Sequence, residues 1–247
     1  MSWWWIIGGG PTVRSIRPRI FLSSKPSSPV RVSWSESDME VLFARHGNTF
    51  APGDKVVWVG RETDLPLVDK GLVQAAAAAE ALRRTGLIPD AVYAASLRRT
   101  RRFAEIIADS LGLAAPVIDP RLDEIDYGRW AGRTNDEIAS DGPDAEAAMV
   151  AWGGRDVWPA EVGWATTWAE VEAAVTAFST QCLALAGHRR PLVVSSNGIL
   201  RFLPRVLLAG QAQPDSFKMR TGHLGIIDCQ DGEACLRCWD VAPADLA

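Results

Sequence analysis

From residue 41 onward, short apolar runs alternate with longer segments of helical periodicity, and this alternation is the strongest constraint on the fold. The apolar runs predict buried strands, and apolar side chains at helical spacing, closed by glycines such as Gly86 and Gly112, predict helices. The predicted strands cover residues 41–44, 90–95, 115–119 and 191–195, the helices cover 71–84, 98–111, 168–186 and 199–208, and a hairpin covers 224–240. This order predicts an α/β fold, a three-layer α/β/α sandwich with a mainly parallel central sheet.

The first 38 residues differ in composition from the rest of the chain. They contain three adjacent tryptophans, a triple glycine and five basic residues, and no acidic residue occurs before Glu36. Prolines interrupt any amphipathic helix, and no periodicity predicts a packed element. We expect residues 1–38 to be a disordered N-terminal extension, with a targeting segment or a start codon assigned too early as alternatives. Residues 39–247 are expected to form one α/β domain.

The chain after residue 35 has a negative net charge. Residues 36–247 hold 21 of the 26 basic residues against all 30 acidic residues, a net charge of −9. Nucleic-acid binding needs clustered positive charge, so we expect no nucleic-acid partner, although a small pocket of arginines for one phosphate stays compatible with this charge. No run of 18 apolar residues occurs, so we also expect no membrane span.

The cysteines raise the alternative of a metal site. Four cysteines are too few for a disulfide framework in a chain of this length, but Cys229, Cys235 and Cys238 follow His223 closely. Residues 231–232, Asp-Gly, predict a hairpin turn, and residues three apart on a strand point to opposite faces. We therefore favour reduced structural cysteines without a metal, which are typical of a cytoplasmic protein.

Three clusters of polar residues follow predicted strands, at the positions where open α/β sheets bind ligands. Residues 45–49, Arg-His-Gly-Asn-Thr, pair an arginine that matches phosphate oxygens with an imidazole that can act as nucleophile or acid–base group. Residues 98–102 place four arginines at a helix start, where anions are favoured. Residues 121–132 hold three carboxylates and two arginines. Each cluster alone also fits a structural role, as a packed histidine, a solvated basic helix face or exposed loop charges.

Taken together, these clusters resemble the histidine phosphatase superfamily, which includes the cofactor-dependent phosphoglycerate mutases. The resemblance spans about residues 40–240 and rests on four stretches in the same order: Leu42-Phe-Ala-Arg-His-Gly-Asn-Thr49, Asp64-Leu-Pro-Leu67 with Gly71 and Gln74-Ala75, Ser96-Leu-Arg-Arg-Thr-Arg with Ala104-Glu105, and Leu122-Asp-Glu-Ile-Asp-Tyr-Gly-Arg-Trp-Ala-Gly132. It implies a phosphoglycerate mutase-like fold, chemistry without a metal or other cofactor, and a small-molecule phosphomonoester as the substrate.

The resemblance also implies roles for single residues. His46 would attack the phosphoryl group and carry it as a phosphohistidine, and Glu124 would protonate the leaving group. Arg45 and Arg99 would clamp the phosphate oxygens, and Asn48 would add a hydrogen-bond donor beside them. Guanidinium groups then neutralise the phosphoryl oxygens. The carboxylic acid gives its proton to the leaving oxygen, so that the leaving group departs as a neutral alcohol and not as an alkoxide.

One position departs from the family pattern. The family has a second histidine after the late strand, and Ser196 occupies that position here. Ser196 and Asn197 can donate hydrogen bonds to a phosphate but bring no positive charge, and loss of one oxyanion donor lowers a rate by roughly 10²–10³-fold. Asn197 and the N–H groups of the helix start offer partial compensation. His223 is an alternative substitute, whereas His188 is expected at the surface, at the other end of the sheet.

A cap insertion is expected around residues 133–168, where the family places its specificity segment. Four tryptophans fall within seventeen residues of it: Trp152, Trp158, Trp164 and Trp168. We expect most of them to pack inside the cap, and Trp58, in the loop after the first cluster, is the better candidate for contact with a substrate. The identity of that substrate is not indicated by any of these residues.

Two functions remain open at this point. The first is a metal-independent phosphomonoester hydrolase that acts through phospho-His46, and the intact nucleophile and Glu124 favour such an enzyme. A mutase is less favoured, because it has to keep water from the phosphoenzyme and the sequence gives no clear evidence of a closed pocket for two phosphates. The second is a pseudophosphatase that binds phosphate but turns over poorly, which Ser196 favours. The sequence does not indicate an oligomeric state.

Overall fold

The computed structural model describes residues 39–159, 161–184, 189–230 and 233–247. The predicted extension at 1–38, His188 and the predicted turn at 231–232 lie outside the described residues. None of the helices among the residues described here is long and apolar enough to cross a membrane.

A six-stranded sheet forms the centre of the structure. Its strands are β1 (Met39–Arg45), β2 (Ala91–Ala94), β3 (Val117–Ile118), β4 (Pro191–Ser195), β5 (Leu224–Gln230) and β6 (Glu233–Val241). They lie in the order β3-β2-β4-β1-β5-β6, in which the first four are parallel and the hairpin of β5 and β6 continues the sheet in antiparallel orientation. The predicted mainly parallel sheet is therefore confirmed.

Helices cover both faces of this sheet. They are α1 (Asp69–Thr85), α2 (Arg98–Leu111), α3 (Asn135–Ala139), α4 (Pro143–Arg155), α5 (Trp168–Phe178), α6 (Asn197–Leu200) and α7 (Leu203–Leu207). Because neighbouring strand residues point to opposite faces, Leu42 and Ala44 pack with α1 and α2, whereas Val41 and Phe43 pack with the helices that follow α2. The three-layer arrangement follows directly from this alternation.

Two predicted helices differ from the helices observed, since one is broken in the middle and the other ends early. The helix expected over residues 199–208 is broken into α6 and α7, since Pro204 has no N–H and its ring would clash with the carbonyl of residue 200 in a continuous helix. The helix expected over 168–186 is α-helical only as far as Phe178, and Ser179–Ala184 continue as π-helix. Both differences lie beside the sheet and leave the strand order unchanged.

Candidate active site

A cleft of about 1000 Å³ lies beyond the carboxyl ends of the parallel strands. Arg45 and Ser195 are paired at the ends of β1 and β4, so the residues that follow them begin side by side. Polar residues from the end of β1, the start of α2, the segment after Leu122, and α6 with its C-terminal neighbour line the cleft; they include Arg45, His46, Asn48, Arg99, Glu124, Tyr127, Asn197 and Arg201. This is the position at which open α/β sheets bind ligands.

His46 is buried at the base of the cleft and has a defined orientation. Its Nδ1 lies 2.7 Å from the carbonyl oxygen of Gly47. A carbonyl oxygen only accepts hydrogen bonds, so Nδ1 carries the proton and Nε2 keeps its lone pair. Burial, together with the charges of Arg45 and Arg99, holds the pKa of His46 well below its usual range. The imidazole is therefore neutral at neutral pH and available as a nucleophile.

Close packing on α1 fixes the loop that carries His46. A Cβ on Gly47 would lie 2.5 Å from the carbonyl oxygen of Gly71, so only glycine allows this approach. The backbone N–H of Asn48 donates to Gln74 at 2.8 Å, and its side-chain oxygen accepts from Thr221 at 2.7 Å. Asn48 lines the cleft, and since its side-chain oxygen accepts from Thr221, its amide nitrogen remains available as a donor.

Arg45 and Arg99 are held by backbone carbonyls. Arg45 donates to the carbonyl of Met219 at 2.6 Å, and its Nε is buried without a partner. Arg99 is 1% exposed and donates to the carbonyls of Thr63 at 2.9 Å and Gly60 at 3.3 Å. Within the described part of the chain neither guanidinium forms an ion pair, so their positive charge is free to neutralise an anion in the cleft.

The structure also separates the four arginines at the start of α2. Arg99 alone turns into the cleft, and Arg98, Arg101 and Arg102 are exposed. The basic run therefore combines a site residue with a solvated helix face, the two alternatives that the sequence left open.

Glu124 lies on the cleft wall as a buried carboxyl group. It accepts hydrogen bonds from the N–H of Ile125 at 2.9 Å and the N–H of Gly198 at 3.2 Å. The Tyr127 hydroxyl lies beside the same glycine, Gly198, and burial raises the pKa of Tyr127 well above its usual range, so this hydroxyl stays protonated. Burial raises the pKa of Glu124, which favours the protonated acid more than at an exposed glutamate.

The neighbouring carboxylates have structural contacts instead. Asp123 accepts from the N–H of Ser96 at 2.7 Å and from its hydroxyl at 2.6 Å, which ties this segment to the end of β2. Asp126 accepts from the N–H of Gly128 at 2.8 Å. Of the three carboxylates in the segment 121–132, Glu124 alone lines the cleft.

Gly198 leaves the space that the Glu124 carboxyl occupies. A Cβ at position 198 would lie 2.1 Å from Glu124 Oε1 and 2.9 Å from the Tyr127 hydroxyl. We expect Gly198→Ala to displace the carboxyl group and to lower kcat/KM for alkyl phosphates by about 10²-fold, because a misplacement of about 1 Å has effects of that size. Gly153→Ala is the matched control, since Gly153 also lines the cleft but a Cβ there meets no atom within 4 Å. Equal rates for both variants would contradict the assigned role of this contact.

The two predicted phosphate ligands after β4 differ in placement. Ser196 is fully buried, its hydroxyl has no partner among the described residues, and it does not line the cleft. The predicted contact of Ser196 with phosphate stays a prediction. Asn197 lines the cleft, and its side-chain oxygen accepts from the N–H of Met219 at 2.9 Å, which leaves its amide nitrogen as a donor.

His223 does not substitute for the missing histidine. Its Nδ1 lies 2.9 Å from the carbonyl oxygen of Asp240 and 3.1 Å from the Asp240 carboxylate, and it does not line the cleft. Cys235 is exposed and Cys238 is partly buried on β6. Across the described ranges, no three histidine, cysteine or acidic side chains are grouped so that they could hold a metal ion.

The tryptophans of the cap pack mainly against each other. Trp158 contacts Trp164 at a ring separation of 5.0 Å and Trp168 at 5.8 Å, and Trp164 packs on Tyr127 at 4.9 Å. Trp58 lines the cleft and donates from Nε1 to Asn135 at 2.8 Å. Trp152 lines the cleft as well.

Tyr127, Arg201 and Lys218 are among the cleft residues that the sequence did not assign to the site. Tyr127 belongs to the third polar cluster, and its proximity to Glu124 was a usable signal. No local sequence pattern identifies Arg201 or Lys218 as cleft residues, because their positions depend on packing between distant segments of the chain.

A neutral imidazole with a free Nε2, two unpaired guanidinium groups and a buried carboxylic acid form a site suited to bind a phosphoryl group. The profile of the histidine phosphatase superfamily (branch 1) matches residues 41–242. The chain belongs to this superfamily, whose members include phosphatases and mutases.

The names of similar proteins include both mutases and phosphatases. The "Probable phosphoglycerate mutase GpmB" of Erwinia tasmaniensis is 28% identical over 207 residues, which cover 83% of this chain and 92% of that protein. The structure of α-ribazole phosphatase from Shigella flexneri has a TM-score of 0.63 at 25% identity, covering 83% of this chain and 97% of the other. A mycobacterial glucosyl-3-phosphoglycerate phosphatase bound to VO3 has a TM-score of 0.68 at 24% identity, covering 82% and 99%, and supports the fold alone.

Proposed function

We propose that this protein is a phosphomonoester hydrolase that acts without a metal, through a phosphohistidine intermediate on His46. The observation that carries this proposal is the hydrogen bond from Nδ1 of His46 to the carbonyl of Gly47, which leaves Nε2 free beside two guanidinium groups. Arg45 and Arg99 supply the positive charge that the phosphoryl oxygens need, since neither is paired with a carboxylate in the described residues. The substrate is a small phosphorylated molecule.

The first step transfers the phosphoryl group to the enzyme. The lone pair of His46 Nε2 forms a bond to phosphorus, the ester P–O bond breaks, and the leaving oxygen takes the proton of Glu124. The free alcohol departs, which leaves an Nε2-phosphorylated imidazolium and a Glu124 carboxylate. The proton stays on Nδ1 and is donated in the hydrogen bond to the carbonyl of Gly47 throughout, which keeps the ring in position.

The second step returns the enzyme to its starting state. A water molecule attacks phosphorus, its proton passes to the Glu124 carboxylate, and the electrons of the P–N bond return to His46 Nε2. Inorganic phosphate then leaves. The N–H groups of Ile125 and Gly198 stabilise the carboxylate that exists between the two steps.

The size of the cleft supports hydrolysis over phosphoryl transfer to a second alcohol. A mutase has to keep water away from its phosphoenzyme, whereas a volume of about 1000 Å³ leaves room for water beside a small substrate. One water molecule occupies only about 30 Å³ in the liquid.

The placement of Ser196 favours a second candidate, a pseudophosphatase that binds phosphate with little turnover. Ser196 is buried, does not line the cleft and brings no positive charge, so the charged donor that the family's second histidine supplies is missing. Loss of one such donor lowers a rate by roughly 10²–10³-fold, which weakens catalysis without removing the nucleophile.

Phosphate release from a broad panel of phosphomonoesters separates the two candidates. The full chain is assayed with a chelator present, and release that is insensitive to the chelator is the result that the hydrolase proposal predicts. A rate that depends on added divalent metal would contradict metal independence. Absence of release from every compound, with retained binding of inorganic phosphate, would support the pseudophosphatase.

Arg99 gives a direct prediction for phosphate binding. We expect Arg99→Ala to weaken inhibition by inorganic phosphate about tenfold to a hundredfold, because the substitution removes charge-assisted hydrogen bonds from a buried guanidinium. Arg101→Ala is the matched control, as Arg101 belongs to the same helix but is exposed. The inhibition constant of phosphate is measured for both variants, and an unchanged constant for Arg99→Ala would refute its role.

A further inference from the structure

Asp156 is a buried carboxylate that lies outside the cleft. It directly follows α4, which contributes Met149, Trp152 and Gly153 to the cleft lining, but its own side chain does not line the cleft. This side chain is 0% exposed, and the backbone takes the left-handed conformation with a φ of 52°. A carboxylate buried in this way is stable only when several donors replace its lost water, so its donors show what it holds in place.

Four donors from two separate parts of the chain converge on the Asp156 carboxylate. Its Oδ1 accepts from the guanidinium group of Arg201 and from the hydroxyl of Ser216, the latter at 2.6 Å. Its Oδ2 accepts from the guanidinium group of Arg205 at 2.9 Å and from the N–H of Phe217 at 2.6 Å. Asp156 therefore joins the end of α4 to the region of α6 and α7 and to the segment that leads to β5.

The segment that Asp156 holds at Phe217 reaches the phosphate end of the cleft two residues later. The carbonyl of Met219 accepts from Arg45 at 2.6 Å, and the N–H of Met219 donates to the side chain of Asn197 at 2.9 Å. Phe217 and Met219 are both fully buried, so the short link between them is closely packed. A shift at Phe217 would therefore move the backbone group that orients Arg45.

Contacts of Arg201 make the same junction rigid. Its Nη1 donates to the carbonyl of Trp152 at 2.7 Å as well as to Asp156, and its guanidinium carbon lies 4.5 Å from the centre of the Trp152 ring. Because Arg201 is 1% exposed, its charge depends on Asp156 for compensation.

We propose that Asp156 is a positioning residue for the reaction, which sets the orientation of Arg45 through the backbone of Met219. This inference rests on the proposed function, in which Arg45 binds the phosphoryl oxygens. The carboxylate of Asp156 does not contact the phosphate, but it fixes the anchor of the guanidinium group before a substrate arrives. A misplacement of about 1 Å can lower a rate by about 10²-fold, so even a small movement of this anchor has a measurable effect.

Asp156→Asn tests this role with little change of shape. Asparagine tolerates the left-handed backbone conformation, but its single side-chain oxygen can accept from only one of the two donor pairs. Calorimetric titration of the full chain with inorganic phosphate measures the effect without turnover. We expect the affinity for phosphate to fall about tenfold to a hundredfold, because the anchor of Arg45 is no longer held.

Asp228→Asn is the matched control. Asp228 also pairs with an arginine, Arg237, but it lies opposite Glu40 at the start of β1, at the end of the sheet away from the cleft. This variant is expected to keep the phosphate affinity within about twofold, since its partners are distant from the cleft. Thermal melts of each variant define the temperature below which it is folded, and the titrations are made below that temperature.

A double-mutant cycle with Arg45→Ala separates positioning from a general loss of stability. If Asp156 acts through Arg45, the factor by which Asp156→Asn lowers phosphate affinity is expected to be at least about threefold smaller once Arg45 has been replaced. Equal factors in the two backgrounds would overturn the proposal, and so would an unchanged affinity in Asp156→Asn alone.

Ser216→Ala takes the place of Asp156→Asn in this cycle if the latter does not fold. It removes one donor to Oδ1 of Asp156 and keeps every charge. We expect it to weaken phosphate binding at least about threefold, the range of one hydrogen bond, and an unchanged affinity would then overturn the positioning role.

Failure of the proposed hydrolase looks different, because the unsubstituted protein would then release no phosphate from any compound. Phosphate binding that depends on Asp156, without release, keeps the positioning role and overturns the hydrolase. Release by the unsubstituted protein, with a phosphate affinity that is independent of Asp156, does the reverse.

Discussion

Replacement of His46 by alanine is expected to abolish phosphate release while the protein stays folded. The variant loses the atom that forms the P–N bond, and removal of a catalytic nucleophile lowers turnover by factors on the order of 10⁴ or more. The ring of His46 makes one hydrogen bond, to the adjacent Gly47, whereas the bonds to Ser195 and Gly222 come from its backbone and survive the substitution. Steady-state phosphate release and a thermal melt, on the same preparation, measure the two effects.

His223→Asn is the matched control for this substitution. His223 lies outside the cleft and bonds to Asp240, and the asparagine amide can still donate to that carbonyl. This control is expected to retain phosphate release close to the unsubstituted rate. Release by His46→Ala near that rate would refute the assigned nucleophile.

Replacement of Glu124 by glutamine is expected to lower hydrolysis of alkyl phosphates by about 10²–10⁴-fold, the usual contribution of a general acid. The amide keeps the shape of the side chain but has no proton to give to the alkoxide. With p-nitrophenyl phosphate the leaving group is a stable anion, so formation of the phosphoenzyme is expected to be much less affected. Its hydrolysis still needs a base, and a burst of p-nitrophenol followed by slow turnover is the expected time course.

The control for Glu124→Gln is Asp136→Asn, which removes another carboxylate that lines the cleft but is exposed on α3. Stopped-flow absorbance at high enzyme concentration measures the burst. A loss of equal size for alkyl and nitrophenyl substrates, without a burst, would show that Glu124 does not transfer the proton to the leaving group.

Much of the fold could be predicted from the sequence because the signals were local. The apolar runs that became β1, β2 and β4 are bounded by polar loops, and α2 was predicted with its observed bounds, closed by Gly112. His46 directly follows β1 and Arg99 lies at the start of α2, so local patterns marked both as candidates, whereas Glu124 was chosen from the family resemblance of residues 122–132. Even the break between α6 and α7 had a local signal in Pro204, which the apolar periodicity of residues 199–208 outweighed.

The remaining site features depend on contacts between distant parts of the chain. Arg45 is anchored by Met219, 174 residues away, and this contact brings Lys218 to the cleft. The burial of Ser196 depends on how the ends of β1 and β4 pack, which no local pattern describes. Residue type predicted a hydrogen-bond donor at Ser196, but its burial could not be predicted from residue type.

Rapid-quench trapping of the phosphoenzyme tests directly whether His46 carries the phosphate covalently. The Glu124→Gln protein is mixed with radiolabelled p-nitrophenyl phosphate, quenched in alkali within the burst, and digested for peptide mapping. We expect a label that is stable in alkali and labile in acid, on the peptide that contains His46. Turnover of the unsubstituted protein without any such label, or a label on another residue, would contradict it.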